Sequence, residues 1–274
     1  ASTARALGLP VPPAVLAEDV PAGGLSAGRY AVAVAFQRDD GEEGPLSAHT
    51  LVTVGEGCGI QIDGLPMSPE ASTLRVYRTT CNGDALYHCC DVPVGTMNWL
   101  LGNDTLGKLA PFPFMARMPP GRFVTTWRGR LLTARGRTIM MSEPLTYGVS
   151  SLRHNFVQAP HRVTLLHGTN DGVYVGTAHG MWFMRGTGPR DAEWRSTGAP
   201  APLEGAYGTV PGDAFNAGLG LAGQTVLVWL SARGFVLATQ DGTIIAPQAS
   251  RVRVGAASAG ALVYAERRLT AAVD

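Results

Sequence analysis

Charge is scarce in this chain. Only 16% of its 274 residues are Asp, Glu, Lys or Arg, below the usual quarter, and 22 basic against 21 acidic side chains leave a net charge of +1. So even a balance gives no global electrostatic footprint for nucleic acid or an anionic membrane; any such contact has to be local. Long apolar runs are missing too. Nowhere do about 18 uncharged apolar residues follow one another, so no membrane-crossing helix is expected. The opening ASTARALGLPVPPAVLAEDVP lacks the basic start and apolar run of a signal peptide, and the chain reads as soluble and without an address. Cysteine is limited to Cys58, Cys81, Cys89 and Cys90, with no C-x-x-C pair. Adjacent Cys89 and Cys90 are expected on opposite faces of a strand, which argues for reduced structural thiols made in a cytoplasm and against a zinc site or disulfide framework.

What the chain has in excess is backbone punctuation: 35 glycines and 19 prolines imply many tight turns and few solvated helices. Residues 1–22 are rich in Pro and Ala and read as an extended lead-in. From there the period is two: GRYAVAVAFQ sets Tyr30, Val32, Val34 and Phe36 on one face and alanines on the other. RDDGEEG is a hairpin turn, Ser47 to Val54 its partner strand, and Asn82-Gly83 a second hairpin signal between LRVYRT and ALYHCCDV. Short strands at turn-delimited intervals predict a β-sandwich over 23–108. Pro111, Pro113, Pro119 and Pro120 then make 109–121 a linker.

Beyond it a pattern recurs. Thr133-Ala-Arg-Gly136, Thr177-Ala-His-Gly180 and Thr239-Gln-Asp-Gly242 each sit between apolar runs, with a fainter copy at Thr209 to Gly212. A strand, a glycine turn and a strand at loose intervals predict a β-propeller-like domain, complete or partial, over 122–274. The whole chain is therefore expected to be all-β.

Sites are thin. Gly24-Leu-Ser26-Ala-Gly28 matches a nucleophile elbow, but a strand instead of a helix follows the serine. Gly218-Leu-Gly220-Leu-Ala-Gly223 matches a dinucleotide fingerprint but precedes a strand, with no βαβ unit. The six histidines show no metal-ligand spacing, and no carboxylate pair stands out for glycoside hydrolysis. His179 and Asp171 look catalytic alone, yet Arg135, His179 and Asp241 share one place in the three copies, which marks a turn position. No catalytic, cofactor or metal residue is nominated, and Thr133, Gly136, Thr177, Gly180, Thr239 and Gly242 are read as structural. Arg128, Arg130, Arg135 and Arg137 flank one hairpin and read either as a polyanion-facing surface or as a solvated or subunit-contact face.

Taken together, GRYAVAVAFQRDDGEEGPLS, LRVYRTTCNGDALYHCCDVP, PPGRFVTTWRGRLLTARGRTIMMSEPLTYG and VTLLHGTNDGVYVGTAHGMWFMRGTGP resemble a family of tailed-bacteriophage virion proteins, similar in design to the tail nozzle or hub proteins of short-tailed phages. The resemblance covers about residues 5–250 and rests on turn and strand signatures. It implies a fibronectin-III-like sandwich joined to propeller-like β-structure, no catalysis and no cofactor. It further implies a homo-oligomeric ring, six-fold by analogy, contacting other tail proteins around a channel for non-specifically passing DNA, in the virion and away from membranes and small-molecule substrates. Such proteins usually carry β-rich sequence before the GLP lead-in, so a trimmed piece, or early blades supplied by a neighbouring subunit, is expected. The alternative is a carbohydrate- or host-receptor-binding module using Trp182, Trp194 and Trp229; a propeller hydrolase would need two carboxylates within about 10 Å in a cleft.

Overall fold

In a computed structural model that describes residues 5–103, 105–215, 220–246, 253–255 and 257–274, the chain is all-β. Its described residues form separate antiparallel sheets, and the helical elements among them are single 3-10 turns. Two compact units emerge, one of residues 1–118 with 146–152, the other of 119–145 with 153–274.

The first unit holds β1 (Leu16–Leu25), β2 (Gly28–Gln37), β3 (Glu43–Leu46), β4 (Thr50–Val54), β5 (Cys58–Asp63), β6 (Thr73–Thr79), β7 (Leu86–Pro93), β8 (Asn98–Leu101), β9 (Ala116–Arg117) and, numbered by its place in the chain, β13 (Val149–Ser150). One sheet runs β1-β5-β8; the other runs β3-β2-β6-β7, with β4 also on β2. Tyr30, Val32, Val34 and Phe36 of β2 share one core with Ile60, Ile62 and Leu101 of the opposite sheet, giving a sandwich-like pair. The other face of β2 is also covered: Ala31, Ala33 and Ala35 pack with Leu46, Tyr77, Leu86 and Ala110.

Several sequence expectations change here. The extended lead-in ends earlier than residue 22, because β1 pairs along β5 from Leu16 onward, and Leu9 and Val15 before it are buried. Burial of these apolar residues outweighs the entropy of an extended Pro-rich stretch. Ser47 to Val54 is not one strand: the ladder breaks after Leu46, where the Ser47 hydroxyl accepts from Val34 N at 3.0 Å and its N–H donates to Val34 O at 2.8 Å. Cys89 and Cys90 do not face opposite ways. Val76 pairs with Cys90 and Tyr77 with His88, so Cys89 is the extra residue of a β-bulge, and both thiols pack on one core. The linker over 109–121 is short of its expected extent as well: Ala110 donates to Leu86 O at 2.9 Å, β9 pairs with β13, and the units divide after Met118.

The second unit begins with three four-stranded meanders. They are β10 (Phe123–Trp127), β11 (Arg130–Arg135), β12 (Thr138–Met141) and β14 (Phe156–Gln158); β15 (Val163–Gly168), β16 (Val173–Thr177), β17 (Gly180–Arg185) and β18 (Glu193–Ser196); and β19 (Pro202–Pro211), β20 (Thr225–Ser231), β21 (Gly234–Ala238) and β22 (Ile244–Ile245). A hairpin of β23 (Gly260–Ala265) and β24 (Arg268–Val273) follows. The first strands β10, β15, β19 and β23 are successive neighbours. Successive sheets share cores: Trp127 and Ile139 meet Val173 and Met184, then Tyr174 and Phe183 meet Trp229 and Val236. Gly168 makes the first junction possible, since an added Cβ would lie 2.1 Å from Thr126 O. Val163 N donates to Gly136 O at 2.8 Å, and Gly168 N to Thr125 Oγ1 at 2.9 Å. Those two bonds align β15 with β10 in the same direction, and a parallel bridge from Glu204 to Ala259 does the same for β19 and β23. Equivalent turns of the sheets therefore gather at the same end.

Candidate functional site

The turn between the second and third strands recurs in structure, but not where the third sequence copy placed it. Thr133-Ala-Arg-Gly136 joins β11 to β12, Thr177-Ala-His-Gly180 joins β16 to β17, and the counterpart in the third sheet is Ser231-Ala-Arg-Gly234, joining β20 to β21. Thr177 Oγ1 donates to Gly180 O at 3.0 Å and accepts from His179 N at 3.2 Å. Ser231 Oγ repeats both bonds, donating to Gly234 O at 2.9 Å and accepting from Arg233 N at 3.1 Å. Thr133 departs from the scheme, its hydroxyl donating to Pro119 O at 2.9 Å.

Thr239 and Gly242 belong one hairpin later, between β21 and β22. There Thr239 Oγ1 bonds the Asp241 carboxylate, which also accepts from Thr243 N at 3.0 Å. The Thr239 hydroxyl, then the Thr243 amide, holds that carboxyl below its ordinary range. The copy at Thr209 to Gly212 is no such turn either, since Thr209 lies inside β19. A threonine-for-serine exchange hid the true third copy. Its consequence is chemical: the third turn position is Arg135, His179 and Arg233, basic each time, and Asp241 does not share it.

The four arginines do not form one surface. Arg128 and Arg130 flank the β10–β11 turn, whereas Arg135 and Arg137 lie at the far end of β11, a strand of six residues and so roughly 17 Å away. Arg128 stacks its guanidinium 5.4 Å from the Trp127 ring centre, and Arg130 Nη1 donates to Ser142 O at 2.7 Å. Arg137 Nε donates to Ala159 O at 3.1 Å; Arg135 is exposed. At the Arg135 end, Arg122 and Arg162 join Arg135 around a pocket of about 340 Å³. His161 and His179, not linked by sequence spacing, meet beside it with ring centres 4.2 Å apart. His179 and Asp171 sit at opposite ends of β16, so they do not act as a pair.

At the other end of the sheets Asp171 and Asp241 line one cleft of about 500 Å³ with Gln224, Thr239 and Thr243, a pairing no motif announced. Hydrogen bonds within the β21–β22 turn lower the Asp241 carboxyl, the direction opposite to that of a general acid.

An ionic network in the first unit joins three strands. Tyr77 Oη donates to Glu43 Oε1 at 2.6 Å, Arg75 bridges Glu43 at 2.8 Å and Asp91 at 3.2 Å, and His88 Nε2 lies 2.8 Å from Asp91. Burial, then the Glu43 contact, pushes the Tyr77 hydroxyl up, so it stays protonated and supplies no nucleophile. The network ties β3, β6 and β7 together.

Ser26 lies in the turn between β1 and β2, two strands, and its carbonyl accepts from Tyr30 Oη at 2.9 Å. Gly218 of the dinucleotide-like run lies outside the described residues, while Gly220 and Gly223 precede β20. Trp229 is fully buried with Nε1 donating to Pro200 O at 3.2 Å, and Trp182 and Trp194 are half-buried against the first junction. Among the described residues no three His, Cys, Asp or Glu side chains group as metal ligands. Neither protein-family models nor curated proteins give a match to this chain.

Proposed function

We propose that the chain is a structural component of a phage tail, a ring-forming nozzle or hub subunit lining part of the DNA-ejection conduit, with its second unit arranged as propeller-like blades. The observation that carries this reading is the stack of meanders in the second unit. Each inner sheet buries both faces against its neighbours, while the two terminal sheets keep one apolar face open. On the first sheet that face carries Val124 and Phe156, 56% and 37% exposed, beside Met140; on the last hairpin it carries Val263, 59% exposed. Unlike faces of this kind mate head to tail, and a head-to-tail contact that closes makes a ring.

The test is the mass of the purified chain by light scattering and its outline by electron microscopy. A ring lost in the Val124→Glu, Phe156→Glu double variant, with thermal stability kept, supports the reading. A strict monomer at all concentrations, binding glycans, refutes it in favour of a receptor-binding module.

A further inference from the structure

We propose that the end of the second unit carrying the β11–β12, β16–β17 and β20–β21 turns is a binding face for the phosphate backbone of duplex nucleic acid. Arg135, His179 and Arg233 occupy the same position in successive turns and are all exposed, so one basic group is presented per sheet. The backbone fixes them there. Arg122 N donates to Ala134 O at 2.8 Å and Val163 N to Gly136 O at 2.8 Å, which draws Arg122 and Arg162 to the Arg135 turn and walls the 340 Å³ pocket with Pro120, Phe123 and Val163. Glu204 pairs with Arg122, whereas among the described residues Arg135 and Arg162 have no ion-pair partner and are left to meet an incoming oxyanion.

The opposite end of the same sheets is different. There Asp171, Asp191, Asp213 and Asp241 are interspersed with Arg128, Arg130, Arg185, Arg190, Arg267 and Arg268, so acidic and basic groups alternate at that end, whereas the third position of each turn at the Arg135 end is basic. Guanidinium forks match phosphate oxygens in two-point fashion. Duplex DNA carries one charge per about 1.7 Å of axis, so separated cationic stations meet phosphates in any register. The turns themselves are Thr or Ser, Ala, Arg or His, and Gly, which offer no Phe, Tyr or Trp platform for unstacked bases, and this favours the duplex over a single strand. The inference rests on the turn geometry alone and stands or falls separately from the ring.

The test is fluorescence anisotropy of the full chain with a labelled DNA duplex of mixed sequence, titrated at several NaCl concentrations. Three phosphate contacts predict an affinity falling about 40-fold between 50 and 200 mM salt. The Arg135→Gln, Arg162→Gln, Arg233→Gln triple variant is expected to lose the salt-dependent binding with its melting temperature unchanged. Arg128→Gln with Arg190→Gln, at the opposite end, is expected to keep it. Equal loss in both variants, or no salt-dependent binding by the parent chain, overturns the proposal; binding to heparin but not to the duplex overturns the choice of nucleic acid.

Discussion

If Ser231 is the true counterpart of Thr177, removing either hydroxyl should destabilise the second unit by the same amount. Thr177→Val keeps the side-chain shape and deletes a donor to Gly180 O and an acceptor for His179 N; Ser231→Ala deletes the same pair toward Gly234 O and Arg233 N. Both hydroxyl-bearing residues are fully buried. A net hydrogen bond contributes about 1 kcal/mol, and a buried group left without a partner costs about 1–3 kcal/mol. His179 and Arg233 are exposed, so water can reach their amides, and the loss per turn should be about 1–2 kcal/mol. At about 2–4 °C per kcal/mol for a unit of this size, each substitution lowers its melting temperature by about 2–8 °C. Intrinsic tryptophan fluorescence is the natural assay, since Trp127, Trp182, Trp194 and Trp229 of the five tryptophans lie in the second unit. A neutral Ser231→Ala beside a damaging Thr177→Val would refute the equivalence of the turns.

Gly168→Ala should cost about 3 kcal/mol, because the new Cβ meets Thr126 O at 2.1 Å and one sheet must move off the next; a melting temperature within a degree of the parent contradicts that junction. Burial holds the Cys89 and Cys90 thiols up at about 11 against an ordinary 9, so thiolate at neutral pH falls about 100-fold and alkylation mapped by mass spectrometry should be correspondingly slow. Equal labelling of Cys89 and Cys81 would count against the buried bulge. Arg38→Met removes a buried guanidinium that donates to Ala6 O at 2.9 Å and pairs with Glu70 at 3.1 Å; a loss of about 2–4 kcal/mol and early proteolysis before residue 10 are expected, and unchanged protease resistance rules the clamp out. Asp241 has a depressed folded-state pKa, so its contribution is complete above the ordinary carboxylate range and disappears as pH falls through and below it; an Asp241→Asn variant should flatten that part of the acid-unfolding curve.

Alternation and turn chemistry carried most of the fold into the sequence. The inward face of β2 and the Asn82-Gly83 hairpin follow directly from period two and a positive φ at Asn82, where φ is 56°. What stayed hidden was non-local. Whether Leu16 to Leu25 pairs depends on Ile60 and Ile62 some forty residues on, and no local pattern in a Pro-rich stretch reports that. A bulge adds one residue without changing composition, so Cys89 and Cys90 obeyed alternation on paper and broke it in space. The basic row was obscured because serine and threonine do the same work at the first turn position, and a Thr-x-x-Gly run also occurs in the neighbouring β21–β22 hairpin. The Asp171 and Asp241 cleft likewise joins two turns seventy residues apart.

The excursion of residues 146–152 into the first unit sets an order on biosynthesis. On a ribosome the residues up to Met118 emerge without β13, the partner of β9, and without Gly148, which nests so closely on Gly8 that an added Cβ there would come within 2.5 Å of its Cα. That unit can close only after a stretch of the second has already been made, and the second then resumes from Arg153. The two units are threaded through each other in time, so no single cut in the gene separates them into two intact halves.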